Sequence, residues 1–224
     1  MNISLHSDIL NHPIPLSFGV IYYENIVVAD SPQMLKGRLR LFQESLFFDL
    51  QEKPVTEFEG IKEWRSLFKS LGKDPNRYRP SVESLFRRIK KQHYMESQHS
   101  AVDLNNFFSL QYQSPIGLYD QKSIQGNVSI RLGADAETYE GLNGRMNGLH
   151  HLLVTADELG PFGSPFVDSV RTAVTTNTTH AFQMIYLRPG LPKDEQSKLT
   201  ESLMNMFLQI HGGTGTFEIL TNQY

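Results

Sequence analysis

The amino-acid sequence predicts an α+β fold, with helices concentrated in its first half and strands in its second. Between residues 31 and 112, apolar residues recur at the three- and four-residue spacing of amphipathic helices. After residue 115, short runs rich in β-branched and aromatic residues alternate with turns that contain Gly, Asn and Pro. Helices and strands that segregate in this way favour a largely antiparallel or mixed sheet over the parallel sheet of alternating βα units.

Composition indicates an ordinary globular protein. The chain has 224 residues, of which 39% are hydrophobic, and a formal net charge of −3. A nucleic-acid partner would therefore need a local basic surface. The absence of cysteine excludes disulfides, thiolate catalysis and zinc–thiolate sites. The first sixteen residues lack the basic start and apolar core of a signal peptide, and no apolar run reaches membrane-spanning length, so we expect a cytoplasmic protein without a membrane partner.

The first third of the chain is predicted to combine one β segment with two helices. Residues 18–28 (FGVIYYENIVV) predict either a hairpin or one bent strand. Ser31 is a candidate N-cap, with Pro32 in the first turn, for a helix with an apolar face formed by Leu35, Leu39, Phe42 and Leu46. A second helix is expected to end at Gly72, and its apolar residues are Ile61, Trp64, Leu67, Phe68 and Leu71.

Residues 77–91 form the most basic part of the chain. Ser81 is a candidate cap for a helix whose apolar residues are Val82, Leu85, Phe86 and Ile89. The candidate RNA-binding residues are Arg77, Arg79, Arg87, Arg88, Lys90 and Lys91. Two interpretations remain open. The charges form either a solvated helix face or a surface that contacts phosphate, because guanidinium groups pair well with phosphate oxygens.

Residues 101–131 carry the densest pattern of the sequence. The run VDLNNFFSL predicts a helix that is apolar on most sides and presents Asn105 and Asn106. Buried amides need hydrogen-bond partners, so these two either join separate segments or line a polar pocket. The chain is then expected to turn at 114–117, to turn again near Gly126, and to leave as the strand NVSIR.

The second half of the chain predicts mainly strands, namely NVSIRL, LHHLLVT, RTAVTTNTT, HAFQMIYL and TFEIL. Asp194 is a candidate cap for an amphipathic helix that ends at Gly212 and Gly213. We expect residues 1–224 to form a single domain. Its parts would be an N-terminal hairpin and helix (1–60), a core (61–190) and a C-terminal helix and strand (191–224).

The pattern VDxNNxxSLxxxxPIGxYDxxxxxGxxxxR of residues 102–131 resembles the editing module of the bacterial phenylalanyl-tRNA synthetase beta chain, its third and fourth domains together. A second block, at residues 157–172, falls where that module has its Gly-rich loop. The resemblance covers roughly residues 60–190 and implies a layered sheet–sheet–helix sandwich with an α-rich N-terminal part. It also implies a tRNA partner and hydrolysis of the ester that joins a wrong amino acid to that tRNA.

Carried over residue by residue, the resemblance is partial. The matching positions are Val102, Asp103, Asn106, Pro115, Tyr119, Asp120 and Arg131. This chain has Asn105 where the synthetase helix has a pocket threonine, and Gly117 where the family's turn has a histidine. In place of the glutamate that reads the wrong amino acid's hydroxyl, the corresponding region offers Thr176 and His180 among several threonines. These departures imply a different amino-acid side chain as the target.

The loop at residues 157–172 supplies further candidates. It offers backbone N–H groups, hydroxyls and Arg171 to an anionic or ester-bearing ligand, although the same Asp, Ser and Gly residues are those that structural turns require. The candidate catalytic residues are Asn105, Ser169, Arg171 and Thr172. The candidate substrate-binding residues are Asn106, Gly117, His150, Gly160, Gly163, Ser164, Asp168, Thr176 and His180.

No metal or other cofactor is expected. The adjacent His150 and His151 lie in a predicted strand, where neighbouring side chains point to opposite faces and cannot bind one ion together. There is no GxSxG, GxxxxGK[ST] or GxGxxG pattern, so a serine-hydrolase triad and a nucleotide-binding fold are unsupported. The class II ATP-binding motifs of a complete synthetase are also not identified.

Two functions remain open. The first is a free-standing hydrolase that uses a bound water to deacylate mischarged tRNA. It predicts a pocket between Asn105, Asn106 and the loop at 160–172, with the basic residues within reach of the tRNA. The second is a non-catalytic module that binds RNA or an amino-acid-like ligand on the same fold. DNA is not an expected partner of either.

Overall fold

The computed structural model describes residues 1–223 and contains helices in both halves of the chain. The helices are α1 (Ser7–Leu10), α2 (Gln33–Glu52), α3 (Glu59–Ser70), α4 (Ser81–Lys90), α5 (Ser100–Tyr112) and α6 (Lys193–His211). Short 3₁₀ helices occupy Val55–Glu57, Gln121–Ser123 and Val170–Thr172. Among these described residues, no helix combines the length and the apolar character needed to cross a bilayer.

The strands form two four-stranded sheets and one hairpin. The strands are β1 (Ile3–Leu5), β2 (Ser17–Glu24), β3 (Ile116–Asp120), β4 (Val128–Leu132), β5 (Thr138–Glu140), β6 (Met146–Gly148), β7 (Leu153–Asp157), β8 (Gly160–Gly163), β9 (His180–Leu187) and β10 (Thr214–Thr221). The outer sheet has the order β1-β4-β7-β8 and is mixed, because β1 pairs with β4 in parallel. The central sheet, β10-β2-β9-β3, is antiparallel throughout, and β5 pairs with β6.

The central sheet lies between two hydrophobic cores, one on each face. Alternation along β9 sends Ile185 toward the helices and Tyr186 toward the outer sheet. The first core joins the central sheet to α2, α4, α5 and α6, and the second joins it to the outer sheet and to Trp64 and Phe68 of α3. The predicted α+β class and the layered sheet–sheet–helix arrangement are therefore confirmed.

The two local predictions of strand structure have different outcomes. Of the two alternatives for residues 18–28, the single strand is confirmed and the hairpin is wrong, because one strand, β2, pairs with both β9 and β10 over its whole length. The threonine-rich run RTAVTTNTT is not a strand. It forms the 3₁₀ turn at 170–172 and then a loop in which Thr178 donates a hydrogen bond to Asp120 Oδ2 at 2.8 Å. Hydroxyl side chains that hydrogen-bond locally compete with a strand ladder.

The predicted serine and aspartate caps do not form either. Pro32, Pro80 and Pro192 occupy the N-cap positions of α2, α4 and α6, and none of these helices has a side-chain cap. Ser31 instead donates a hydrogen bond to Asp103 Oδ2 at 2.6 Å. Asp103 is buried, and it also accepts hydrogen bonds from the Ser97 hydroxyl and, at 3.0 Å, from the Gln98 N–H. This carboxylate therefore holds the segment before α5 against the start of α2.

A buried ion pair anchors α4. Glu83 is fully buried and accepts hydrogen bonds from Arg65 of α3 at 3.0 and 3.1 Å and from Arg87 at 2.8 Å. This contact fixes α4 against α3 through one face, so the other face of α4 is left to present its remaining basic side chains.

Candidate functional site

A cleft of about 620 Å³ opens where α4, α5 and β3 meet. Its floor includes the apolar side chains of Val102, Leu118 and Val174, and one wall is the segment 94–99. The full lining is Leu85, Arg88, Tyr94, Met95, Glu96, Ser97, Gln98, His99, Val102, Asn106, Leu118, Leu142, Ala173 and Val174. This cleft is called the α5 cleft below. Because Asp103 bonds to residues 97 and 98, the buried carboxylate sets the position of that wall.

The polar groups of the α5 cleft differ in charge and in hydrogen-bonding capacity. Glu96 supplies an exposed carboxylate, Arg88 a guanidinium and Asn106 an amide. His99 is the N-cap of α5, and its Nδ1 accepts a hydrogen bond from the Val102 N–H at 3.4 Å. That contact assigns the remaining proton to Nε2, which makes Nε2 a donor. The positive end of the α5 dipole also borders the cleft, so the cleft favours negative charge beside His99.

A second depression, of about 350 Å³, lies along α4 and is strongly basic. It is lined by Arg79, Ser84, Arg87, Arg88, Lys90, Lys91 and His93. This depression is called the basic groove below. Arg88 lines both the α5 cleft and the basic groove, so the two are neighbours on one surface. Five of the six predicted RNA-binding residues lie in the groove, and Arg77 lies outside its lining.

The two central asparagines take different positions. The α5 cleft is not the predicted pocket between the two asparagines and the loop at 160–172, because no residue of that loop is in its lining. Asn106 does line this cleft. Asn105 does not: its Nδ2 donates to the Ile116 carbonyl at 2.9 Å, and its Oδ1 accepts from Gln183 Nε2 at 2.8 Å. Gln183 in turn accepts from the Tyr23 hydroxyl at 2.8 Å. The Asn105 amide thus ties α5 to the central sheet.

The other predicted catalytic residues lie in the loop after β8. Arg171 donates to Asp157 Oδ1 at 2.8 Å and Oδ2 at 3.0 Å, and to the carbonyls of Ser123 and Gly160 at 3.0 and 3.3 Å. Burial by itself raises the pKa of Asp157, but the hydrogen bonds from Arg171 and from backbone N–H groups outweigh it, and the pKa is lowered. Ser169 Oγ accepts from the Arg171 N–H at 3.2 Å. Within residues 1–223, the buried hydroxyl of Thr172 has no hydrogen-bond partner.

Two predicted substrate-binding glycines make room for one tyrosine. A Cβ atom at Gly117 or at Gly163 would overlap the hydroxyl of Tyr119, whose ring lies between the two. The Tyr119 hydroxyl donates to Asp168 Oδ1 at 2.8 Å and lies 3.5 Å from the Tyr186 hydroxyl. These glycines therefore allow close packing of a buried aromatic side chain.

Asp168 lies at the centre of this aromatic cluster. It accepts hydrogen bonds from the Tyr119 hydroxyl and, at 3.3 Å, from the Ser164 N–H. Burial raises the pKa of Asp168 to about 7, and the two hydrogen bonds lower it only in part. Burial also raises the pKa of Tyr119 well above its usual value. The carboxyl group of Asp168 therefore carries a proton to a higher pH in the folded protein than in the unfolded chain.

We expect the variant Asp168→Asn to become more stable relative to the wild type as the pH rises. The raised pKa means that the folded protein retains a proton between pH 3.8 and about 7 that the unfolded chain releases. The contribution of Asp168 to the free energy of unfolding is thus full below pH 3.8 and is lost as the pH rises through about 7. Urea denaturation of both proteins at about pH 5 and about pH 8 measures the difference, because asparagine keeps an acceptor oxygen for Tyr119.

The matched control is Asp157→Asn, whose stability relative to the wild type should be the same at about pH 5 and about pH 8, because both values lie above the usual Asp pKa of 3.8. The lowered pKa of Asp157 means that its contribution is present at neutral pH and is lost on acidification. An Asp168→Asn variant whose stability relative to the wild type does not change between the two pH values would contradict the assignment of Asp168.

The remaining predicted substrate-binding residues are scattered. Gly160 begins β8 with a φ of 115°, where a side chain would strain the backbone. The Ser164 hydroxyl accepts from the Tyr139 hydroxyl at 2.9 Å and donates to the Val167 carbonyl at 2.9 Å. Thr176 is exposed in a turn, and His180 begins β9 with its Nδ1 3.0 Å from the Thr179 hydroxyl. None of these four residues is in the lining of the α5 cleft.

The prediction that His150 and His151 point to opposite faces is wrong. Strand β7 begins only at Leu153, and His151 adopts a left-handed conformation with a φ of 56°. The two imidazole rings consequently stack on one side of the chain, with centroids 3.9 Å apart. His150 Nδ1 lies 2.7 Å from Asp135 Oδ1.

Sequence reasoning missed the wall of the cleft. Glu96, Gln98 and His99 lie in a segment without helical or strand periodicity, so no pattern marked them. The available signal was Asp103, a carboxylate near the start of a predominantly apolar predicted helix: if such a group is buried, it must find nearby donors, and the preceding segment is the closest source.

The fold and the site together define an α+β sandwich protein that has a polar cleft beside a cationic groove. Comparison with known sequences makes the assignment specific: the chain belongs to the B3/4 domain family, whose model matches residues 63–209.

Three known proteins have sequences similar to this chain. The chain is 40% identical to the Uncharacterized protein YhzB of Bacillus subtilis (strain 168), over 99% of this chain and 100% of that protein. It is 39% identical over 61 residues to the phenylalanine–tRNA ligase beta subunit of Paramagnetospirillum magneticum, and spans 8% of that subunit. It is 28% identical over 140 residues to the beta subunit of Legionella pneumophila (strain Lens), and spans 18% of it. These matches confirm the resemblance predicted from the sequence.

A solved structure is also similar. The crystal structure of an N-terminal fragment of the phenylalanyl-tRNA synthetase beta-subunit from Pyrococcus horikoshii aligns with 96% of this chain and 50% of that one. The sequence identity is 14% and the TM-score is 0.46.

Proposed function

We propose that this protein binds the acylated 3′ end of a tRNA and hydrolyses the aminoacyl ester. The observation that carries the proposal is the shared position of Arg88, which joins the polar α5 cleft to the basic groove. An aminoacyl-tRNA end presents the same two parts side by side, a polyanionic backbone and a small amino-acid ester. Such a substrate would place the protein's activity in the cytoplasm.

The basic groove suits the phosphate backbone. Arg79, Lys90 and Lys91 supply exposed cations along the groove, and Arg88 adds a guanidinium where the groove meets the α5 cleft. Phosphate contacts supply most of the affinity of such complexes and carry no sequence information. The net charge of −3 does not oppose this binding at short range, because each cation acts within about 8 to 10 Å at ordinary ionic strength.

The α5 cleft suits an esterified amino acid. The carboxylate of Glu96 can pair with the α-ammonium group, while Val102, Leu118 and Val174 offer an apolar surface to the side chain. The amide of Asn106 can bind a polar substituent on that side chain. Because an amide that is left unpaired is costly, Asn106 would select for such a substituent.

Hydrolysis in this cleft needs no nucleophilic side chain. A water molecule adds to the ester carbonyl, the bond between the carbonyl carbon and the ribose oxygen breaks, and the water's proton passes to that oxygen. The developing oxyanion would be stabilised by the Nε2–H of His99 and by the positive end of the α5 dipole. Positioning of the ester and the water then supplies much of the rate.

A second function, binding without hydrolysis, is favoured by one specific observation. Three of the four residues predicted as catalytic from the sequence, Asn105, Ser169 and Arg171, hold their hydrogen bonds within the protein. Their catalytic roles stay predictions. Under this alternative, the cleft captures an amino-acid-like ligand or an RNA end and releases it unchanged.

The decisive experiment measures amino-acid release from a panel of mischarged tRNAs. We expect the wild type to deacylate one member well above the spontaneous rate, and His99→Ala to lower that rate about 100-fold through loss of the Nε2 donor. Arg88→Ala should raise the KM about tenfold and reduce the dependence of affinity on salt by about one counterion. Arg40→Ala, which removes the same charge from an exposed site on α2, is the control and should change neither.

The outcomes separate the two functions. If tRNA binding depends on Arg88 but no amino acid is released from any member of the panel, the hydrolase is excluded and the protein is a non-catalytic binding module. Release that is insensitive to both His99→Ala and Arg88→Ala would contradict the assignment of the site.

A further inference from the structure

A loop pair at the base of the β5–β6 hairpin brings three potential metal ligands together. The segment before the hairpin and the segment after it are held by backbone hydrogen bonds: Gly133 N–H to Leu152 O, and His151 N–H to Gly133 O, both 2.8 Å. The N–H of Leu149 also bonds to Glu137 O at 2.9 Å. The backbone is therefore preorganised before any side chain takes part.

The three ligands are Asp135, His150 and His151. Each offers one donor atom, and these atoms all lie within 4.8 Å of one another. His150 Nδ1 is 2.7 Å from Asp135 Oδ1, yet the buried nitrogen has no partner in hydrogen-bond geometry among residues 1–223. The two atoms are too close for an ion to lie directly between them, so they must separate before an ion can bind. The ligands of one tetrahedral ion lie roughly 3.3 Å apart, so a small outward movement of the exposed Asp135 would admit the ion.

The backbone of His151 is the second observation. A non-glycine residue with a φ of 56° is unfavourable, and the left-handed conformation is what turns this imidazole onto the same side as His150. Such conformations persist only where surrounding structure enforces them, and they cluster at binding sites.

We propose that Asp135, His150 and His151 bind one divalent transition-metal ion, of the zinc, cobalt or nickel type, with water completing the coordination. Two imidazole nitrogens and one carboxylate oxygen select for such ions over magnesium and calcium, which prefer oxygen ligands throughout. The ion joins the two ends of the β5–β6 hairpin. Because Leu142 in the connection between β5 and β6 lines the α5 cleft, the ion would stiffen one wall of the candidate site.

The test uses the full, untagged chain after treatment with a chelator. Titration with Co²⁺ is expected to produce the visible absorption of a low-symmetry cobalt site at one ion per chain, and excess Zn²⁺ should remove it. Asp135→Asn and His151→Gly should each weaken binding at least tenfold. The matched control is His6→Ala, because His6 Nδ1 also lies 2.9 Å from a carboxylate, that of Asp8, but belongs to no three-ligand group among residues 1–223.

A second readout keeps the test valid if a variant alters the fold. Glycine adopts a positive φ without the steric cost that a histidine side chain imposes. The metal-free His151→Gly variant should therefore melt about 2 to 4 °C higher than the metal-free wild type. Zn²⁺ should then raise the Tm of the wild type and leave that of the variant unchanged. An equal Zn²⁺-induced shift in both proteins, or Co²⁺ binding that is lost in His6→Ala and kept in His151→Gly, would overturn the proposal.

Discussion

Replacement of Glu83 by alanine is expected to lower the free energy of unfolding by about 3 to 5 kcal/mol. The side chain of Glu83 is fully buried between Arg65 and Arg87, which donate to it at distances between 2.8 and 3.1 Å. Alanine would leave the Arg65 guanidinium, only 18% exposed, without its carboxylate in a poorly solvated site. Urea denaturation with linear extrapolation measures the loss.

The matched control is Glu44→Ala. Glu44 pairs with Arg40 at 3.0 Å on the exposed surface of α2, where the side chains are 36% and 78% exposed. Exposed pairs of this kind contribute at most about 0.5 kcal/mol, because water and salt screen them. A Glu83→Ala variant that loses no more stability than Glu44→Ala would show that solvent reaches the buried pair.

The same ion pair shapes the basic groove. The charge of Arg87 is compensated by its ion pair with Glu83. Arg88, Lys90 and Lys91, in contrast, form no ion pair with a carboxylate among residues 1–223. The positive potential of the groove therefore rests on these last three side chains together with Arg79, which also lines the groove. Glu83 acts on the groove indirectly, by fixing the helix that presents them.

Sequence patterns predicted those elements whose periodicity is set by burial. Helices α3 and α6 each bury one regular face, so spacing alone identified them, whereas α5 and strand β9 are buried on most of their sides. The threonine-rich run at 171–179 failed because its hydroxyls bond within the loop and to Asp120, where strand propensity has no influence. The caps failed because Pro32, Pro80 and Pro192 already end the preceding extended segments.

The candidate site was predictable only in part, for a geometric reason. Asn105 and Asn106 are neighbours on a helix, and adjacent side chains point about 100° apart. The pattern identified the pair, but only the position of β3 and β9 determines that Asn105 faces the sheet and Asn106 faces the cleft. Likewise, Gly163 was predicted to be a ligand-binding glycine. The residue that requires a glycine there is Tyr119, and because Tyr119 is distant in sequence, no local pattern could reveal the contact.

Gly163→Ala is the second substitution with a large expected effect, a loss of about 2 to 3 kcal/mol of unfolding free energy. The new Cβ would meet the hydroxyl and ring of Tyr119, which is fully buried and cannot move away because Gly117 supports its other edge. Any displacement also lengthens the hydrogen bond from Tyr119 to Asp168. Gly37→Ala is the control: its Cβ has nothing within 4 Å, and alanine in the middle of α2 should stabilise the protein by about 1 kcal/mol.

A double-mutant cycle tests whether the tyrosine hydroxyl is the cause. Tyr119→Phe removes the atom that a Cβ at Gly163 would meet first, so Gly163→Ala should cost about 1 kcal/mol less in the Tyr119→Phe background than in the wild type. Tyr119→Phe alone remains destabilising, since Asp168 loses its hydroxyl donor while it stays buried. If the two substitutions are additive, the glycine is required by the strand itself rather than by Tyr119. The interaction energy thus decides whether Gly163 belongs to the packing of the aromatic cluster or remains available as a binding-site glycine.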